Sequence, residues 1–200
     1  MAVKKKAGGK MKDLLLHICC APCSLYSWQA LQEKGYDVYG YFFNPNIHPY
    51  REFSKRKETL RLLAEEEGKP VFIDERYLLE DYLQRVADVG RDPEKRCPLC
   101  YEMRLEETAR RAVEKGMKGF STTLLISPYQ KHELLKEMGE KIAQKHGLQF
   151  VYEDLRSGFR ESMRLAREKD LYRQGYCGCI YSEKERYHPS AKKSTRQKKR

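Results

Sequence analysis

The strongest constraint on the fold is an alternation that begins at residues 13–18. DLLLHI there reads as a buried strand, and it runs without a linker into Cys19 and Cys20. A helix over 24–34 follows, stopped by Gly35, and then a second strand over 38–43. Asn44-Pro45-Asn46 makes a turn into a long charged helix over 48–67, closed by Gly68, and a short third strand covers 70–73. A helical stretch at 77–87 and a loop at 90–95 precede a helix over 97–115. A fourth strand over 120–126, a helix over 130–145 and a fifth strand over 148–152 complete the pattern. Strand-sized apolar runs separated by helical periodicity predict a parallel sheet, because parallel neighbours need helical crossovers. The expected class is therefore α/β, with about five parallel strands and helices on both faces. A C-terminal extension breaks the alternation, with a helix over 160–172 and then the cysteine-containing GYCGC. Open sheets of this kind bind ligands beyond the carboxyl ends of strands, where strand order reverses. If the first and fourth strands are neighbours at that point, Cys19 and Cys20 lie in the crevice.

The 200 residues suit a single domain, expected over 13–187. The longest apolar runs are strand-sized, far short of the roughly 20 residues of a membrane span. No apolar stretch follows the basic N-terminus before Asp13, so no secretory signal is visible and a cytoplasmic protein is expected. The net charge of +11 is unevenly placed. Residues 1–12 carry five lysines and 191–200 carry six Lys/Arg, with no acid in either. Between them 29 basic residues face 29 acids. The body is formally neutral, and the excess sits in two tails, 1–12 and 188–200, expected to be disordered. Such tails attract RNA or DNA in a salt-dependent way, or are simply solvated.

The seven cysteines fall into three tight groups: CCAPC at 19–23, CPLC at 97–100 and CGC at 177–179. Without a secretion signal a disulfide framework is not expected, and clustering points to metal ligation or redox work. Cys97 and Cys100 lie within one helical turn. Pro98 suits the first helical position, where free amides and the helix dipole favour thiolate. Together with Cys19 and Cys20 they make a four-thiolate set for either an iron–sulfur cluster or a structural zinc. Adjacent cysteines fit the paired zinc-knuckle pattern poorly, and the strand-end location favours function over structure. Cys23 is left over: a spare ligand, a ligand of a second metal, or a small buried residue. Cys177 and Cys179 suit a labile dithiol/disulfide that relays electrons, or two further ligands.

His17, alone on an apolar strand, reads as a satisfied core residue. Asn44, Asn46 and His48 at the end of the second strand are candidate substrate contacts, although a turn explains the two asparagines equally. Thr122, Thr123, Tyr129 and Gln130 around the end of the fourth strand are further candidates. No Gly-rich phosphate loop is present.

The motifs HICCAPC (17–23), NPNIHP (44–49), RCPLCYEMR (96–104), STTLLISPYQKH (121–132) and YCGC (176–179), taken in order, resemble the QueH-type epoxyqueuosine reductases over residues 13–187. The resemblance implies a fold similar to the Rossmann-like adenine-nucleotide hydrolase group, with CCAPC standing where a phosphate loop would be; nucleotide binding is not carried over. It implies reduction of epoxyqueuosine to queuosine at the wobble position of tRNA anticodons, the last step of queuosine synthesis, without cobalamin. The tRNA and an external electron donor are the implied partners. Cys19, Cys20, Cys97 and Cys100 match the family's 4Fe-4S cysteines, and Cys177 with Cys179 its redox-active pair. A mononuclear iron beside the cluster is implied as well, with Cys23 as candidate ligand. The competing readings are a zinc-bound, non-catalytic RNA-binding domain and a thiol oxidoreductase acting on proteins.

Overall fold

The computed structural model describes residues 12–188. Strand β1 (Lys12–His17) lies at the centre of a five-stranded sheet. β2 (Tyr36–Phe42) and β3 (Val71–Ile73) extend the sheet on one side, and β4 (Gly119–Thr122) and β5 (Gln149–Phe150) on the other. All pairings are parallel. The order β3-β2-β1-β4-β5 reverses between β1 and β4, so the expected switch point lies where β1 ends at the cysteines.

The two-residue side-chain period of a strand divides the core. Leu14, Leu16 and Ile18 face one layer: helix α1 (Ala21–Glu33), helix α2 (Tyr50–Glu66) and helix α6 (Phe159–Glu168). Leu15 faces the other, made by α4 (Pro93–Glu114) and α5 (His132–His146). Each of these leucines is essentially fully buried, worth roughly 1.5–3 kcal/mol apiece. On β2 the alternation leaves Gly40 facing α1. A methyl group there would lie 2.8 Å from Ile18 Cδ1 and 3.0 Å from Trp28 Cζ3, so glycine makes room for the buried Trp28. Two short helices, α3 (Leu79–Arg85) and α7 (Ile180–Tyr187), close the side of α4.

Three departures from the sequence expectation matter for the site. Helix α1 begins at Ala21, not 24, so Cys20 is its N-cap and Cys23 lies in its first turn. Helix α4 begins at Pro93, capped by Asp92, whose carboxylate accepts the Glu94 N–H at 2.9 Å. Pro98 is consequently inside the helix rather than at its first position, and Cys97 is the fifth helical residue. The Asp-Pro pair is the stronger start signal, because Asp caps and Pro93 needs no N–H there. Finally, β4 stops at Thr122. Its hydroxyl accepts the Leu124 N–H and turns the chain into a 3-10 segment, Thr123–Ile126, where the sequence had suggested continued strand.

Candidate active site

Three residues separate β1 from α1, and they hold the first thiols. Cys19 and Cys20 Sγ lie 3.7 Å apart. Cys23 joins them, with all three sulfurs within 4.8 Å of one another and all three residues buried. No side chain caps α1, so its first-turn N–H groups project past the N-terminus, where the thiols lie. The Thr123 hydroxyl, placed by the turn after β4, accepts the Cys19 N–H at 3.1 Å and donates to Cys19 Sγ at 3.4 Å. Hydrogen bonds from Cys20, Cys23 and Thr123 hold the Cys19 thiol well below its usual range despite burial. Cys20 is pushed up by burial and by Cys19, and Cys23 by its bonds to both neighbours. The trio therefore ionises first at Cys19.

The second group is carried by α4. Its buried residues Arg96, Cys100, Arg104 and Thr108 recur every fourth position, which stacks two guanidinium groups and a thiol in one column. Cys100 packs with Tyr82, Val86 and Cys179, while Cys97 packs against the core cluster that contains the trio. Burial pushes Cys100 up to about 12 and raises Cys97 as well. The expected thiolate stabilisation by a helix terminus is not found here, because the terminus is a turn earlier.

The third group closes over both. The loop from Leu171 to Cys179 is clamped by α2: Arg56, 1 % exposed, donates to the carbonyls of Cys177 and Tyr176 at 3.0 Å each. Arg56 is held in turn by Glu52 at 2.7 Å, which accepts Tyr172 O–H at 2.5 Å. The His48 N–H donates to the Gly178 carbonyl at 2.9 Å. Gly178 has φ +130, and a methyl group on it would press on Ile47, Arg56 and Asn46, so CGC requires its glycine. Gln174 donates to Cys20 Sγ at 2.8 Å. Cys177 is exposed, with Gln130 Nε2 3.9 Å from its sulfur; Tyr101 O–H donates to Gln130 Oε1 at 2.7 Å and so aims the amide. Cys179 is buried as the N-cap of α7, its sulfur accepting the Ser182 N–H at 3.3 Å. Arg96 anchors α7 through Glu185 at 3.0 and 3.1 Å.

The chain matches the family model described as epoxyqueuosine reductase QueH over residues 14–185. It belongs to the QueH family. A curated relative from Dehalococcoides mccartyi, named epoxyqueuosine reductase QueH, is 42% identical over 174 residues, covering 87% of this chain and 94% of that one. Another of the same name, from Thermotoga maritima, is 35% identical over 184 residues, covering 88% and 93%. Membership makes the chain an oxidoreductase. Among solved structures, a U34-tRNA thiolase from Methanococcus maripaludis, determined with its [4Fe-4S] cluster, superposes with a TM-score of 0.52 at 19% identity, covering 94% of this chain and 71% of that one. A predicted tRNA methyltransferase subunit from Methanocaldococcus jannaschii gives 0.51 at 15%, covering 79% and 75%. These two likenesses concern the Rossmann-like fold.

The remaining candidates are distributed unevenly. Thr122 O–H donates to His17 Nδ1 at 2.9 Å, and His17 Nε2 donates to the Phe43 carbonyl at 3.0 Å. Burial lowers the His17 pKa to about 4, so it is a neutral core residue, as expected. Asn44 donates to the Ile18 carbonyl at 2.9 Å and ties β2 to the cysteine turn. Neither amide atom of the buried Asn46 has a protein partner. The buried His48 ring lies against Tyr77 and Tyr82, with centroids 5.8 and 5.1 Å away. Tyr129 is 83 % exposed beside Gln130. Sequence reasoning missed Arg56, Arg96, Arg104 and Gln174. The two arginines of α4 carried a readable signal, since they flank Cys100 at four-residue spacing; Gln174 carried none.

The donor set fits a thiophilic metal centre. Buried thiols converge at a helix N-terminus, one of them held toward thiolate, and buried arginines stand around them.

Proposed function

We propose that this chain reduces epoxyqueuosine to queuosine at the wobble position of tRNA, with an iron–sulfur centre held by Cys19, Cys20, Cys97 and Cys100. One observation supports this reading most. A single loop reaches all three cysteine groups: Gln174 bonds Cys20, the exposed residue Cys177 lies beside Gln130, and Cys179 packs on Cys100. The loop thus links Cys177, an exposed residue whose thiol burial pushes up, to a buried centre.

Opening an epoxide to an alkene consumes two electrons and two protons and releases one water. Oxidation of the Cys177/Cys179 dithiol to its disulfide supplies two electrons and two protons, which balances one turnover; an external donor then restores the dithiol. A bound cluster supplies one-electron transfer and a Lewis-acidic iron. The protein's own part is to hold Cys177 at the surface through the Arg56 clamp and to place the Gln130 amide beside it. The reading places the protein in the cytoplasm, with its substrate and with reduced thiols. Among the described residues no helix is long and apolar enough to cross a membrane.

The test is anaerobic incubation with epoxyqueuosine-containing tRNA and a reductant, followed by nucleoside analysis. Queuosine is expected; a brown, iron-loaded protein that leaves the epoxide intact overturns the reading. In the same assay, deleting residues 1–10 and 191–200 is expected to weaken tRNA binding and flatten its salt dependence.

A second reading concerns Cys23. Two thiolates on one tetrahedral metal, with bonds of about 2.3 Å, stand about 3.8 Å apart, close to the 3.7 Å between Cys19 and Cys20. On this second reading Cys19, Cys20 and Cys23 together hold a mononuclear ion, a zinc, in place of the cluster. Iron, zinc and sulfide analysis of anaerobically purified protein separates a cluster with a lone iron from zinc alone.

A further inference from the structure

Three arginines are buried at the sulfur centre, and two of them explain themselves. Arg56 has the Glu52 carboxylate and two carbonyls. Arg96 has Glu185 and the Gly90 carbonyl. Arg104 is 1 % exposed and pairs with no carboxylate among the described residues. Its Nε donates to the Cys100 carbonyl at 3.2 Å, its guanidinium lies 5.8 Å from the Tyr101 ring centroid, and Nη2 has no partner. The groups acting on its charge are Cys100, Cys177 and Cys19, one from each cysteine group, together with Tyr101.

A guanidinium stays charged in any protein interior, and taking it out of water costs several kcal/mol unless an anion compensates it. A carbonyl and a ring face are weak compensation. The groups acting on the Arg104 charge come from all three cysteine groups, so the missing anion belongs among them. Its burial excludes direct contact with a substrate as large as tRNA. Helix geometry explains why the position is reliable: Cys100 and Arg104 are one turn apart on one face of α4, so whatever Cys100 binds is presented to Arg104.

We propose that Arg104 is the counter-charge of the sulfur centre, a positioning residue that compensates the negative charge of the thiolate-bound metal and thereby raises its affinity for electrons. The proposal rests on the iron–sulfur reading above. It assigns Arg104 no contact with the epoxide. Removing its charge makes each added electron less welcome, so the midpoint potential falls.

The experiment is a redox titration of the anaerobically purified holoprotein, followed by absorbance and electron spin resonance, for wild type, Arg104→Met and Arg104→Lys. Iron and sulfide per chain are measured on the same samples. Arg104→Met is expected to lower the reduction equilibrium at least tenfold, about 59 mV for a one-electron couple. Arg104→Lys, which keeps the charge, is expected to lose less than a third of that shift. If Arg104→Met does not retain iron while Arg104→Lys retains it at near wild-type potential, the charge role also stands. An unchanged potential in iron-loaded Arg104→Met overturns the proposal. So does an equal loss of potential, or of iron, in both variants, because that makes shape rather than charge the requirement. A wild-type protein without iron or sulfide instead overturns the iron–sulfur reading itself, which the metal analysis reports separately.

Discussion

The trio at α1 and the pair on α4 are chemically alike and physically opposite. Both are cysteines near the start of a helix, and the pair on α4 looks in the sequence like thiols activated by a helix terminus. At α1 the terminus is where the sulfurs are: Cys20 is the N-cap, and Cys19, just outside, is held well below the usual thiol range. On α4 the helix starts four residues before Cys97, Asp92 caps its first turn, and burial drives Cys100 up to about 12. Hydrogen bonds from Cys20, Cys23 and Thr123, which Cys100 lacks, separate the Cys19 thiolate from the buried Cys100 thiol. Without a metal the second pair stays protonated, and binding there has to displace protons.

This contrast can be broken in several ways. The largest effect is expected from Cys19→Ser, which removes the ionised member of the trio; iron content and turnover should both fall below detection. Cys177→Ser and Cys179→Ser should also abolish turnover while absorbance near roughly 400 nm persists, because they are proposed to feed the centre rather than hold it. Full activity in either variant ends the relay role.

Smaller effects test what holds each side in place. Arg56→Ala leaves Glu52 buried without its cation, and urea unfolding should report about 3–5 kcal/mol of lost stability. Arg96→Ala leaves Glu185 with a side chain still 45% exposed, so about 1–3 kcal/mol is expected on the pair's side. An equal cost for both would mean that the two sides are clamped alike. The smallest effect is that of Thr123→Val, which removes the hydroxyl from Cys19 and should cost about 1 kcal/mol. In metal-free protein the same variant should shift the pH midpoint of Cys19 alkylation upward and leave that of Cys100 unmoved.

Much of the fold was legible because strands and crossover helices have different hydrophobic periods. DLLLHI announces a central strand, its alternate leucines announce two layers, and the glycines at 35 and 68 announce helix ends. The site was legible as three cysteine groups, the first of them at the end of the first strand. What failed was finer. The fourth strand looked continuous to 126 because TLLI is as apolar as a strand, but the Thr122 side chain captures the Leu124 amide and turns the chain. Helix α7, which carries Cys179 at its cap, went unrecognised because IYSEKERY is short and mostly polar; it is held by Arg96 rather than by an apolar stripe. The expectation of disordered ends falls outside the described residues.

An α/β sheet with thiols at the end of its first strand is readable from the chain alone, because periodicity and spacing are local properties. How the thiols divide depends on the packing of the helices. Cys23 joins Cys19 and Cys20 because α1 starts at once after them, and Cys177 and Cys179 are brought down by arginines from two other helices. That packing alone left Arg104 buried without a carboxylate. Charge compensation is decided by which groups meet in space, and no spacing along the chain encodes it.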